Sequence, residues 1–299
     1  MLTRHLDANA TLVSLIRPLA TCSGFISTLL PDVRLVCAYG QVARCPQIYE
    51  PSLIVIAQGS KIAYLEGRTL EYGAGHYLVQ ALPVPFEYET FASQEQPLLG
   101  VYIRFDRAML AELVLEMGEE GAPPAQPQTP ASMVSAVLDA PMREAVERLL
   151  RCVQDPLESR IMGAARLREV LFAALRGSQG GVLRALVQHQ GQMARVAAAL
   201  NHLHQHFSDN LDVATLARFA NMSPSTFHEH FKRTTHLSPL QYLKRLRLLK
   251  AQQLLAAEGL GVAQVAHRVG YQSTSQFSRE YKRYFERNPG SEVGMIPVG

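Results

Sequence analysis

Arg279, Lys282 and Arg283 fall close together near the end of the chain, interleaved with Phe277 and Tyr281. A guanidinium can donate to both O6 and N7 of guanine, so Arg279 is the best single candidate for reading a base. Lys232, Lys244, Lys282 and Arg283 suit phosphates instead, contacts that position a protein on a duplex without reading its sequence. Ser and Thr read bases less selectively, and Glu229 can accept from cytosine N4. Phe227 with Phe231, and Phe277 with Tyr281, are four apart, the spacing of a buried helix face rather than of a stacking platform. Glu280 and Glu286 do not stand at i+3 or i+4 from Arg279, so helix geometry disfavours an ion pair that would occupy its guanidinium.

Other residue groups carry less chemistry. His202, His204 and His206 resemble a metal cluster, with His202 and His206 on one helix face, but no carboxylate or cysteine completes the set and a solvated helix surface is the simpler reading. No metal or cofactor is expected. Gly73-Ala-Gly75 lacks the third glycine and the following helix of a dinucleotide fingerprint, and no phosphate-binding loop or serine nucleophile elbow is present. Tyr39, Tyr64, His76 and Tyr88 are candidates for lining an effector pocket, since a phenol can pack and also donate a hydrogen bond. Core or surface placement is the competing reading. Cys37 and Cys45 offer a rival thiol chemistry, although buried inert cysteine is the commoner case.

These residues need elements to position them, and the 299-residue length favours two domains. Hydrophobic residues at 47% and charged residues at 18% exclude a mainly disordered chain. The longest strictly apolar run, Val170 to Leu175, is too short to span a bilayer. With Asp7 and Arg17 near the start and four cysteines lacking any C-x-x-C pair, a cytoplasmic protein is expected. Residues 195–299 hold 13 Lys+Arg against 7 Asp+Glu, a balance of +6, while residues 1–194 hold 16 against 19, a balance of −3. The basic excess is what a polyanion-binding surface requires.

From Leu35 to Phe105 the chain reads as short β-rich runs: Leu35 to Tyr39, Ser52 to Gln58, Ile62 to Leu65, Arg68 to Tyr72, His76 to Gln80, Val84 to Phe91 and Leu98 to Phe105. Such spacing predicts a small antiparallel barrel of cupin or jelly-roll type. Helices are expected over Ala108 to Met117, Met142 to Val153 and Ile161 to Arg176, with a Pro-rich loop at Gly121 to Pro130 and a linker at Gly177 to Gly181. Their apolar stripes exceed what a small barrel can cover, which points to a homodimer. After Met193 the chain reads as wholly helical. Val213, Leu216, Ala217 and Ala220 are followed by Ser223-Pro224 as cap and first residue of a second helix, which leaves Ser225, Thr226, His228, Glu229 and Lys232 off its buried face. A longer helix from Ser238-Pro239 has Leu240, Leu243, Leu246 and Leu254 as its apolar stripe and Lys244, Arg245, Arg247 and Lys250 as its basic side. The first arrangement then recurs: Val262, Val265, Ala266 and Val269, an ending at Gly270, and Ser273 capping the helix of Phe277 and Tyr281. This is a double helix-turn-helix, all α, whose two reading helices are expected about 34 Å apart, at successive major-groove openings.

The stretches LDVATLARFANMSPSTFHEHFKRTTHLSPLQYLKRLRLLKAQQLL and VAQVAHRVGYQSTSQFSREYKRYFERNP resemble the DNA-binding domain of the AraC/XylS family of bacterial transcription regulators. Residues 49–89 more loosely resemble the cupin-like N-terminal domain of one branch of that family. The resemblance implies a sensor and dimerisation domain over residues 1–185 and a DNA-binding domain over residues 190–299, with helix-turn-helix units at about 211–235 and 260–285. It also implies that Ser225, His228 and Glu229, with neighbouring Thr226, and Thr274, Ser275 and Arg279 face base edges. The implied partners are double-stranded promoter DNA, a second copy of the chain, RNA polymerase, and either a small effector or a protein acting on the N-terminal domain, with no membrane. No catalysis is implied; a metal-free cupin enzyme with an accessory helical domain is the competing class. Two departures stand out: Phe285-Glu286 where a Gly is frequent, which suggests a modified turn, and Glu229 where a basic residue is frequent.

Overall fold

A computed structural model describes residues 9–65, 68–118, 131–187, 191–258 and 260–292. The β-rich region forms two antiparallel sheets. The larger takes strands β1 (Gly24–Ser27), β2 (Val33–Ala38), β9 (Leu98–Arg104), β4 (Ser52–Gln58), β7 (His76–Gln80) and β10 (Met133–Val137), in that spatial order. The smaller has the order β3 (Val42–Ile48), β8 (Pro85–Phe91), β5 (Ser60–Leu65) and β6 (Arg68–Gly73). They do not close into the expected barrel but remain two open sheets sharing one apolar interior.

Residues from Leu53 to Ala57 are buried without alternation because the six-stranded sheet is covered on both faces. Ile54 and Ile56 face the four-stranded sheet in one cluster with Tyr49, Tyr72, Phe86 and Tyr88. Leu53 and Val55 face a helical layer in the other main cluster. The smaller sheet has water on its outer side, and β8 alternates, with Phe86, Tyr88 and Thr90 buried and Glu87 and Glu89 partly exposed. Gly100 permits a close approach of neighbouring strands: a Cβ there would stand 2.6 Å from the Val55 carbonyl, next to the register shift between Ile56 and Gln58.

The helical layer consists of α1 (Ala10–Ile16), α2 (Arg107–Met117), α3 (Ala140–Cys152), α4 (Pro156–Arg176) and α5 (Gly180–Val187). Asp139 and Asp155 accept from the backbone N–H groups of Met142 and Glu158, so α3 and α4 begin earlier than their apolar periodicity alone indicates. Gly177 to Gly181 is not an extended linker. Gly177 backs onto the Tyr77 hydroxyl, where a Cβ would stand 2.8 Å away, and Gly180 opens α5. The Pro-rich segment Gly121 to Pro130 lies outside the described residues.

The C-terminal region contains α6 (Gln192–Gln205), α7 (Val213–Phe219), α8 (Pro224–Thr235), α9 (Pro239–Glu258), α10 (Val262–Arg268) and α11 (Thr274–Phe285). Phe227, Phe231, Phe277 and Tyr281 are fully buried, and their rings pack pairwise at 5.3 and 5.5 Å. One residue of the expected α9 stripe is displaced: Leu240 is 61% exposed, and Tyr242 is buried in its stead.

Tyr242 is also where the domains meet. Its hydroxyl donates to the Pro83 carbonyl of the sheet domain. Its single proton being so committed, His204 Nε2–H of α6 must donate to Tyr242 Oη, at 2.7 Å. Burial, and then the charge of Lys250, push the His204 imidazole down from 6.5 to about 4. A folded value below the unfolded one means that the neutral ring's contribution is present above about pH 6.5 and is lost as pH falls through about 4. Urea denaturation between pH 4 and 7 is therefore expected to show a shallower gain of stability with pH in His204→Gln than in the wild type. Equal slopes would contradict the buried neutral imidazole.

Candidate nucleic-acid interface

The two helical units repeat one local design. Ser223 and Ser273 cap α8 and α11, each accepting through Oγ, at 3.3 Å, from the backbone N–H three residues on. The turn before α8 uses Asn221 at φ 50° and the turn before α11 uses Gly270 at φ 87°, both left-handed. Gly270 is required there, since a Cβ would stand 2.4 Å from the Ser208 carbonyl oxygen. His236 and Glu286 end the two helices at φ 61° and 60°. The missing glycine after Phe285 thus leaves the turn unaltered: Glu286 takes the left-handed conformation as His236 does.

On α8, Ser225, Thr226, His228, Glu229 and Lys232 are all exposed. The hydroxyls of Ser225 and Thr226 lie 3.2 and 2.8 Å from Ser223 Oγ, so both belong to the cap network as well. On α11, Ser275, Arg279, Lys282 and Arg283 are exposed and Thr274 is half-buried. Arg279 makes no ion pair among the described residues, whereas Glu280 is committed elsewhere. It pairs with Lys244 of α9 at 3.0 Å and accepts from Tyr271 Oη at 2.8 Å. Burial would raise the Glu280 carboxyl, but the bonds from Lys244, Tyr271 and Gln276 outweigh it and hold the group below the ordinary carboxylate range. Lys244 is accordingly engaged with α11 through Glu280, unlike the exposed cations of the reading helices.

The four candidate effector residues are not brought together. Tyr88 faces the interior between the sheets and Tyr64 the outer side, where it donates to Glu89 at 3.0 Å under the guanidinium of Arg44. Tyr39 donates to the Ala20 carbonyl, and His76 sits half-buried at the start of β7. Burial pushes the Cys37 thiol up to about 12, and burial also raises Cys45, so neither is an activated thiolate. His202 stacks on Phe219 and His206 pairs with Asp209 at 3.0 Å. Among the described residues no group of His, Cys, Asp and Glu gathers as a metal site.

The model of the AraC-type transcriptional regulator N-terminus matches residues 29–182, and a helix-turn-helix domain model matches residues 216–292. The chain belongs to the AraC/XylS family of transcription regulators. Among curated AraC/XylS-type relatives, the transcriptional activator RhaS of Escherichia coli (strain SE11) is 33% identical over 100 residues, 33% of this chain and 36% of that protein. RhaS of Escherichia coli O1:K1 / APEC is 30% identical over 148 residues, so the chain spans between a third and about half the length of these relatives. Among solved structures, ToxT from Vibrio cholerae O395 has a TM-score of 0.57 at 10% identity, covering 89% of this chain and 97% of that one. ToxT from strain SCE256 with an unsaturated fatty acid bound gives 0.56 at 9% identity, over 89% of this chain and 96% of that one. At such identity the likeness shows the fold.

Within this AraC/XylS frame one residue escapes sequence reading. Arg247, placed by its spacing on the basic side of α9, turns inward and donates to three backbone carbonyls: Phe207 at 2.7 Å, Asp209 at 2.8 Å and Gly270 at 3.3 Å. Nothing in the local pattern separates it from a solvated arginine, because its acceptors are main-chain atoms distant in sequence.

Proposed function

We propose that the protein is a sequence-specific DNA-binding transcription regulator, with α8 and α11 entering the major groove and no reaction catalysed. The observation that carries this reading is the repeated unit itself: two capped helices of the same length, each with an exposed polar face, each joined to the helix before it by a turn with one left-handed residue, Asn221 or Gly270. Ser225, Thr226, His228 and Glu229 of α8, and Thr274, Ser275 and Arg279 of α11, read bases; Lys232, Lys282 and Arg283 hold phosphates, and Lys244 serves there only by exchanging Glu280 for DNA. The compartment is the cytoplasm, and RNA polymerase is a partner at the promoter. No helix among the described residues is long and apolar enough to cross a membrane.

The N-terminal domain senses a small molecule, a reading favoured over a pure protein-interaction module by two features. ToxT shares this fold and is bound to an unsaturated fatty acid in one structure. In this chain a cleft of about 540 Å³ lies between the domains, lined by Arg34, Glu50, Arg104, His204 and Lys250. The same domain pairs two copies of the chain through α4, whose Leu157, Ile161 and Phe172 are 60, 66 and 40% exposed along one helix face. Light scattering of the full chain at tens of micromolar, about the range of a weak dimer, is expected to give a dimer that Ile161→Asp dissociates; a monomeric wild type contradicts it.

Base reading and phosphate positioning separate in two variants. Arg279→Ala is expected to lower affinity for the operator by about 1–3 kcal/mol while changing affinity for random DNA less. Lys282→Ala is expected to weaken both DNAs more evenly and to flatten the salt dependence. Titration of the full chain on both DNAs at several salt concentrations decides it, and equal losses on both for Arg279→Ala remove that residue from the reading set.

A further inference from the structure

The interior between the two sheets holds a charge for which no described residue supplies a counter-ion. The five lysines are Lys61, Lys232, Lys244, Lys250 and Lys282, so residues 1–231 contain a single lysine, and it is buried. Lys61 is 2% exposed on β5 and shares the inward face with Ala63. Its cross-strand neighbours are Tyr72 of β6 and Thr90 of β8, both buried. The amine lies 3.5 Å from Tyr49 Oη and 4.0 Å from the centre of the Tyr88 ring. No carboxylate among the described residues is in ion-pair contact with it. The alternation of β8 explains why, since Glu87 and Glu89 point to the outer side, where they meet Arg44 and Tyr64.

Lys61 donates to Tyr49 Oη and lies over the face of the Tyr88 ring, but no carboxylate among the described residues answers its charge. The Tyr72 hydroxyl is buried and has no hydrogen-bond partner among the described residues, and Tyr49 is buried in the same cluster. Burial pushes the Lys61 amine down to about 8, which still leaves it mostly protonated near neutral pH. An ammonium kept in such a place without an anion costs stability that a methionine of similar shape would not. The rest of the cluster between the sheets is apolar, with aliphatic residues such as Ile54, Ile56 and Leu78 beside the rings of Phe25, Tyr49, Phe86 and Tyr102, which meet edge to face at 5.2 to 5.8 Å. Tyr49 and Tyr102 also line the cleft between the domains, so they form the wall between that cleft and the lysine.

The geometry points to a ligand site centred on Lys61. Its occupant is a small organic acid whose carboxylate pairs with the Lys61 ammonium and accepts from the hydroxyls of Tyr49 and Tyr72. Its apolar or aromatic body packs among the rings of Phe86, Tyr88 and Tyr102, and it enters from the cleft past Tyr49. This assignment rests on the reading that the N-terminal domain senses a small molecule. A donor cluster selects a group that only accepts, and a buried cation selects one that is charged. The chain's own geometry thus specifies the class of effector, an acid rather than its amide or alcohol.

The test uses the full chain with the sodium salts of benzoate, 4-hydroxybenzoate, phenylacetate and octanoate, each against its primary amide, read by melting temperature and calorimetry. At least one acid is expected to bind at one site per chain and raise the melting temperature, with its amide inactive. Lys61→Met is expected to weaken that binding by about tenfold or more, the loss of a charge-assisted bond, and in the absence of ligand to melt above the wild type. Tyr72→Phe removes only a hydroxyl that lacks a hydrogen-bond partner among the described residues; it is expected to fold as the wild type and to weaken binding by about fivefold. Binding that survives both variants but is lost in Arg34→Ala or Lys250→Ala puts the acid in the cleft, overturning the Lys61 site while the sensor reading stands. Amides binding as well as acids has the same meaning. No response to any acid or amide overturns the site and counts against the sensor reading as well.

Discussion

The guanidinium of Arg247 holds the C-terminal domain in one frame. A planar group with fixed N–H directions reaches the carbonyls of Phe207 and Asp209 ahead of the first helix-turn-helix and that of Gly270 inside the second. The guanidinium thereby ties α9 to the segment that leads into the first unit and to the turn inside the second, through side-chain bonds to main-chain carbonyls. Glu280 completes the frame from the other side through Lys244 and Tyr271. Recognition of two successive major grooves needs such a fixed relation, because a small error in angle between the helices displaces the second from its groove.

The N-terminal domain answers a different constraint. A six-stranded sheet with apolar residues on both faces must be covered twice, once by the smaller sheet and once by helices. That second layer runs on through α5 and α6 into the DNA-binding domain, whose Tyr242 reaches back to Pro83. The cleft at this junction is lined by Arg34 and Tyr102 from the sheets and by His204 and Lys250 from the helices. A ligand entering there would touch both domains at once, which is the physical requirement for coupling an effector to DNA binding.

The C-terminal domain was the more legible part of the sequence because its signals are local. Ser223-Pro224, Gly270, Ser273 and the aromatic pairs four apart each act within a few residues, and all stand where their spacing places them. Strands β1, β3 and β10 were not legible. β1 and β10 are short, β3 carries Pro46 and little apolar alternation, and the last two gain their identity from their partners, β10 from β7 and β3 from β8. Tertiary placement explains the remaining differences: Leu240 is exposed while Tyr242 is buried against Pro83 and His204, and Arg247 and Lys61 turn inward although cations in a sequence read as surface residues. Among the candidate site residues, the exposed group on α8 and α11 follows from helix geometry, whereas Tyr39, Tyr64, His76 and Tyr88 were grouped by residue type and the strand pleat separates them.

Hydroxyl-radical footprinting of the full chain on its operator tests most directly the claim that α9 presents two reading helices in fixed relation. Two protected segments are expected on one face of the duplex, about one helical turn apart per bound chain, with Arg247→Met losing protection in both together. A single protected segment, or protection by one helix that persists while the other is lost, would contradict it.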